Sequence, residues 1–129
     1  MKRLLLLCAL TMTACAPIAQ LAQPDESARL TQDGLSLLVS NPGPESLTGD
    51  PSRNIPGGVL TVDGLGLTPD DQAKQWCMLN SSARWDCFVP EVKAGERVLV
   101  TFTSGVINDA MFTGYRASRG AVPVVLMLK

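Results

Sequence analysis

The chain has 129 residues, of which 46% are hydrophobic, and its 11 Lys and Arg residues nearly balance its 12 Asp and Glu residues. A net charge of −1 leaves no basic excess for binding nucleic acid or for electrostatic docking on anionic lipid. The chain also contains no histidine, which excludes Ser-His-Asp and Cys-His nucleophile systems and His-ligated zinc or copper sites.

The N-terminus has the organisation of an export signal. Lys2 and Arg3 form a short positive start, and residues 4–10 form an apolar run. This run is too short to span a bilayer as a helix, so export followed by removal is the better interpretation. The sequence therefore predicts a signal peptide over residues 1–14.

A cysteine closes this signal. The stretch LTMTAC at residues 10–15 resembles the lipobox of bacterial lipoproteins, with Met12 where that motif usually has leucine. The lipobox cysteine carries a diacylglycerol on its sulfur and becomes the new N-terminus, so the resemblance implies lipidation of Cys15. The alternative is ordinary cleavage at the small-x-small site of residues 14–16, which is disfavoured because Pro17 would follow the cut.

We predict that residues 15–33 consist of the lipidated cysteine and a flexible tether. They mix Ala, Gln, Pro and scattered charges without an apolar period. A flexible chain of this length has a reach of about 20–25 Å. Ala16 carries no aspartate-type retention cue, so we expect a lipid-anchored protein of the cell envelope, at the outer membrane or cell surface if the host has an outer membrane. Residues 34–129 form the predicted folded domain.

Short alternating segments separated by Pro and Gly predict an all-β domain. The predicted strands are residues 35–40, 58–62, 96–104 and 121–128, together with the two arms of a hairpin around residues 77–87. Residues 41–58 predict a long irregular connection, Thr68 a short helix start, and residues 105–120 either strand or loop. The last strand is apolar on both faces, which is typical of a central strand or of one covered by a partner. Pro123 argues against a central position, because proline has no N–H to donate to a neighbouring strand. These elements predict a small antiparallel β-sandwich.

Two cysteines remain for the folded domain, Cys77 and Cys87. Outside the cytosol the simplest state of such a pair is a disulfide, and buried free thiols are the alternative. Two thiols in a chain without histidine lack the usual partners for a metal site, so we expect no bound metal.

The same hairpin separates its side chains into two faces. If Cys77 opposes Cys87, then Leu79 opposes Trp85, and alternation places these four residues on one apolar face, which we assign to the core. The opposite face carries Trp76, Met78, Phe88 and Asp86. We expect a loop, or the segment after Gly105, to cover this second face as a satellite core. The alternative is a docking patch, since aromatic and Met side chains are enriched at interfaces.

A glycine-bounded loop near the C-terminus carries Tyr115, Arg116 and Arg119. Arg suits planar anions and Tyr stacks on sugar rings, so one interpretation is a site for a carboxylate, a phosphate or a sugar. An ordinary solvated loop is the favoured interpretation. Asn108 and Asp109 have no spaced series of acidic ligands around them, so we expect no calcium site.

Three motifs follow one another in the folded part of the chain. They are NPGP at residues 41–44, a cysteine hairpin at residues 77–87, and a turn leading into an alternating strand, VKAGERVLVTF, at residues 92–102. In this order they resemble the Ig-like repeat domains of bacterial surface proteins. The resemblance covers residues 34–104 and implies an Ig-like β-sandwich for adhesion, assembly or display, without catalytic residues. Residues 105–129 depart from the family's pattern.

These features predict a lipid-anchored binding or assembly module of the cell envelope, an accessory subunit of a larger surface complex. The expected partners are the membrane, through acyl chains on Cys15, and an envelope protein, with no nucleic acid and no cofactor. The alternative is a small envelope inhibitor or ligand-capture protein that acts on a hydrolase or a cell-wall fragment. We expect no enzymatic activity, because the sequence reveals no cleft with two converging carboxylates.

Overall fold

The computed structural model describes residues 28–128, so the predicted signal peptide and Cys15 lie outside the described residues. The strands within this range are β1 (Arg29–Asp33), β2 (Ser36–Asn41), β3 (Val59–Pro69), β4 (Cys77–Ser81), β5 (Arg84–Phe88), β6 (Glu96–Tyr115) and β7 (Pro123–Met127). Single 3-10 turns form at Ala73–Gln75 and Ala117–Arg119. Every strand pairing is antiparallel, which confirms the predicted all-β class.

One long strand, β6, takes part in both sheets of the fold. Its residues 96–101 pair with β2, which pairs in turn with β1, and these strands form the first sheet. Its later residues pair with β3 and with β7, and β3 continues through β5 to β4. The second sheet therefore has the order β4-β5-β3-β6-β7. The inner side chains of both sheets pack into one apolar core.

Strict alternation selects the residues of this core. Leu37 and Val39 on β2 are fully buried, as are Leu60 and Val62 on β3. Phe112 on β6 lies opposite Leu60 and is equally inaccessible. Branched and aromatic side chains of this kind suit the pleated, half-buried surface of a strand, which is why these segments form strands.

The folded part begins earlier than the sequence predicts. Strand β1 lies within residues 15–33, which we expected to form a tether, and Ala28 before it is already buried. Leu30 is the one buried residue of β1, so this strand has no apolar alternation that would reveal it. The strand is joined to β2 by a tight turn in which Gly34 adopts a φ of 60°.

The ambiguous residues 105–120 continue β6 as far as Tyr115. The pairing of β6 with β3 shifts register between Asp63 and Pro69, where the chain forms bulges. At these shifts Gly105 adopts a φ of 100°, and a Cβ on it would lie 2.6 Å from the backbone of Gly66. The bulges interrupt the alternation of side chains, and this explains why the sequence pattern is ambiguous here.

The helix start predicted at Thr68 is wrong. Strand β3 runs on to Pro69 because it stays paired with β6, and only a single 3-10 turn follows. The Oδ1 atom of Asp70 accepts a hydrogen bond from the N–H of Ala73 at 2.8 Å, so Asp70, and not the expected hydroxyl of Thr68, holds this turn.

The Cys77–Cys87 disulfide is present, with an S–S distance of 2.03 Å, and the predicted pairing of Leu79 with Trp85 is confirmed. Closing a loop of this size stabilises the fold by about 2–3 kcal/mol in the chain-entropy account. The assignment of this whole face to the core is wrong for Leu79, which is 56% exposed. Strand β4 is the outermost strand of its sheet, and its residues from Met78 to Ser81 are all exposed.

Candidate docking face

The second sheet presents one continuous outer face to solvent. The strand register defines it as two rows of side chains, of which the first crosses all five strands and the second crosses β5, β3, β6 and β7. The first row is Met78, Asp86, Thr61, Met111 and Met127, and the second row is Phe88, Val59, Thr113 and Val125. We call these nine residues the outer face. Four strand spacings make it about 19 Å wide.

The outer face is mostly apolar and is exposed at both of its ends. Met78 is 58% exposed and Phe88 40% on one side, and Val125 is 48% exposed and Met127 53% on the other. Val59 and Met111 between them are half-buried. Val59 and Thr113 also line a small pocket with Ile55 of the connection after β2, so this connection borders the second row. Contiguous apolar surface rimmed by polar groups is typical of an interaction site on a soluble domain.

Polar groups on and beside this face are fixed by hydrogen bonds. Asp86 accepts a hydrogen bond from the Nδ2 atom of Asn80 at 2.8 Å. Beyond the first row, the Nε atom of Arg84 lies 2.9 Å from the Oδ1 atom of Asp63 in an exposed ion pair. The hydrogen bond and the charge of Asp63 raise the pKa of Arg84. Asp109 lies opposite Asp63 on β6, so this rim is acidic on balance.

The structure overturns the expectation that the face of Met78 and Phe88 is covered. The segment after Gly105 does not fold over them, because it continues as β6 within the same sheet. The structure also joins these two residues to the apolar C-terminal strand, which the sequence treats as a separate feature. Sequence alternation shows which residues of one strand share a face. It does not show which strands lie side by side.

Trp76 does not belong to this face. Its backbone is helical, with φ −109° and ψ −30°, because it ends the 3-10 turn before β4. The alternation that would place it beside Phe88 therefore stops at Cys77. Its half-buried indole packs against the core instead and lines a separate open groove.

This groove has a volume of about 700 Å³ and is bounded mainly by the first sheet and the segment before β6. Leu38, Leu99 and Trp76 supply its apolar lining. Glu91 and Glu96 add carboxylates. A groove with one aromatic ring and carboxylates suits an extended, partly polar ligand.

Tyr115, Arg116 and Arg119 do not form the anion site that was one interpretation of their loop. Arg116 is only 4% exposed, and its Nη2 atom donates to the Oδ1 atom of Asn41 at 2.9 Å. Its Nη1 atom donates to the carbonyl of Glu45. The expectation of a solvated loop is therefore wrong for Arg116, because its guanidinium is committed to backbone and amide acceptors inside the fold.

The other two residues of that loop are half-buried. Tyr115 lines a small pocket with Asp50 and Arg53. Hydrogen bonds from Ser52 lower the pKa of Asp50. Arg119 ends the second 3-10 turn. The three predicted residues are therefore close in sequence without sharing one site.

Asn41 is the residue that sequence reasoning missed. It is fully buried, and its Nδ2 atom donates to the carbonyls of Glu45 at 2.8 Å and Val92 at 2.9 Å. It continues the buried alternation of Leu37 and Val39, which was a signal that its side chain points inward. Together with Arg116 it ties the connection after β2 to the segments on either side of β6.

Two further classes of site are absent from residues 28–128. No group of three or more Cys, Asp and Glu side chains in this range is arranged to hold a metal ion. Within the same range, no helix has the length and apolar character needed to cross a membrane.

Known proteins supply no assignment for this arrangement. The chain matches no protein-family model, no curated protein and no solved structure. The resemblance to Ig-like surface repeats therefore stays an expectation that rests on the sequence motifs alone.

Proposed function

We propose that the protein is a lipid-anchored binding or assembly module of the cell envelope, an accessory subunit of a larger surface complex, whose partner docks on the outer face. The observation that carries the proposal is the apolar surface that runs from Met78 and Phe88 to Val125 and Met127, whose ends are left exposed by the described residues 28–128. A stable monomer gains nothing from exposing such a surface, whereas a partner that covers it gains hydrophobic free energy.

The chemistry of the face describes the partner. The face is the surface of a β-sheet, so the complementary surface is a second sheet face or the side of a helix with apolar residues. The acidic rim of Asp63 and Asp109 favours Lys or Arg at the edge of that surface. Since this rim is exposed, it governs the rate and specificity of docking more than its affinity.

The anchor is the other half of the proposal. The resemblance of residues 10–15 to a lipobox supports a diacylglycerol on Cys15. The described residues begin at Ala28, so the chain between Cys15 and Ala28 would span at most about 45 Å if fully extended. An anchor at this distance would keep the outer face within reach of partners in the same envelope layer.

The anchor is tested by mass spectrometry of the native N-terminus. We expect the mature chain to begin at Cys15 with acyl chains and to fractionate with membranes, and the Cys15→Ser variant to lose both properties. An unmodified N-terminus at another residue would overturn this half of the proposal.

The docking face is tested by Met78→Asp with Leu65→Asp as the matched control. Both replace an exposed apolar side chain by a carboxylate, and Leu65 lies beyond the charged rim, outside the outer face. We expect Met78→Asp to weaken recovery of the stoichiometric partner from detergent-extracted cells by at least about tenfold, as for an interface hot spot. Leu65→Asp should recover the partner normally. Equal recovery by both variants would remove the outer face as the docking site.

The groove beside Trp76 supports the second candidate function, capture of a ligand such as a cell-wall fragment. In that case binding of the fragment would be lost in Leu99→Arg, which fills the groove, and retained in Met78→Asp. The two functions are therefore distinguished by the same pair of variants: docking on the outer face is weakened by Met78→Asp, and ligand capture in the groove is lost in Leu99→Arg.

A further inference from the structure

Strand β7 has an unpaired hydrogen-bonding edge, although strand β1 of the first sheet lies close to β7. Among residues 28–128 its pairing partner is β6 alone. The N–H of Leu128 donates to the carbonyl of Ala110 at 3.3 Å, so Leu126 and Val124 direct their backbone groups toward β6 in the same ladder. Val125 and Met127 therefore direct their N–H and C=O groups away from β6.

The side chains of β7 do nothing to protect this edge. The other edge strands carry polar exposed residues: Arg29, Thr31, Gln32 and Asp33 on β1, and Asn80 and Ser81 on β4. By contrast, residues 121–128 contain no charged and no hydrogen-bonding side chain. Natural sheets usually guard such edges with Lys, Pro or bulges, and β7 has only Pro123, at its first position.

We propose that this edge pairs with the β7 strand of a second copy of the chain, antiparallel and around a two-fold axis through Leu126. In this register Val125 lies opposite Met127 of the second copy, and by symmetry Met127 lies opposite Val125 of the second copy. Each pair exchanges two backbone hydrogen bonds, so the contact forms four. Pro123, which has no N–H, falls outside these four bonds.

The side chains favour a second copy over a foreign strand. On the outer face the register places Val125 against Met127, and on the inner side Leu126 against its own equivalent. Cross-strand apolar pairs of this kind are favourable, and the two-fold axis brings no like charges together. The symmetry is closed, so the pairing ends at a dimer instead of a fibre.

The dimer would turn two five-stranded sheets into one continuous sheet with two outer faces on the same side. Its contact is one short strand per copy, which is smaller than a standard protein interface, so we expect a reversible, concentration-dependent dimer. The inference does not depend on the lipid anchor or on the partner proposed above.

The test is sedimentation of the purified full-length chain in detergent over about a hundredfold range of concentration. We expect the wild-type chain to shift from monomer to dimer, and Val125→Lys to stay monomeric because a charge now guards the edge. Thr31→Lys, which adds the same charge to the exposed edge strand β1, should dimerise like the wild type. Val125 is exposed, so its replacement spares the core, and an unchanged circular dichroism spectrum verifies folding.

The register has its own test in intact cells. Differently tagged Val125→Cys and Met127→Cys chains, expressed together, should be joined by a short thiol-reactive crosslinker into a species of twice the mass. A wild-type chain that stays monomeric throughout, or a Val125→Lys chain that dimerises normally, would overturn the proposal. Crosslinking of either cysteine only to a protein of another mass would also overturn it, because a foreign strand would then occupy the edge.

Discussion

Replacing Arg116 by alanine is expected to lower the free energy of unfolding by about 2–3 kcal/mol, because a buried acceptor left without its donor costs about 1–3 kcal/mol. Without Arg116, the Oδ1 atom of Asn41 loses this donor inside the fold, and the carbonyl of Glu45 loses one of its hydrogen bonds. Urea unfolding, monitored by circular dichroism, measures this change directly.

The matched control is Arg119→Ala, which removes the same side chain three residues later from a half-buried position on the second 3-10 turn. We expect its unfolding midpoint to stay close to the wild-type value. A site for an anion or a sugar, which was one interpretation of this loop from the sequence, would give the reverse result for Arg116, a loss of binding with no loss of stability. An Arg116→Ala chain with a normal urea midpoint would contradict the structural role.

Replacing Phe112 by alanine is expected to cost about 3–5 kcal/mol of stability, because a large aromatic side chain leaves a cavity where the two sheets meet. Phe112 is fully buried and lies between Leu60 on β3 and Leu126 on β7. Its ring also occupies the space above two glycines. A Cβ on Gly58 would lie 2.5 Å from its Cζ atom, and one on Gly114 2.8 Å from its Cε1 atom.

Met111→Ala serves as the control for Phe112→Ala. The two residues are neighbours on β6, but Met111 lies half-buried on the outer face. We therefore expect its replacement to cost only a small fraction of the Phe112 effect in the same urea titration. Similar losses for the two variants would mean that the outer face contributes to the fold as much as the core does.

The hairpin and its disulfide could be predicted from the sequence because their information is local. Cys77 and Cys87 are close along the chain, and the alternation around them is regular. Strands β2 and β3 and the start of β6 were predictable for the same reason. Where alternation fails, as in β1 with its single buried Leu30 and at the bulges near Gly105, the sequence pattern is not informative.

The candidate site was predictable only in parts. The sequence singled out Met78 and Phe88 and, separately, the apolar strand that became β7. Their union depends on β3 and β6 lying between them, which is a long-range pairing. Arg116 was misjudged for a related reason, since its partner Asn41 is 75 residues away in the chain.

Because both sheets share β6, the stability of each sheet depends on the other. If this strand left, the first sheet would lose its ladder with β2 and the second its ladders with β3 and β7. The strand also carries Val100 into the core on one sheet and Phe112 on the other. Unfolding of one sheet alone would expose the apolar inner side chains of both sheets to water. We therefore expect no stable state in which only one sheet is folded. The two sheets should instead unfold together, in one cooperative transition.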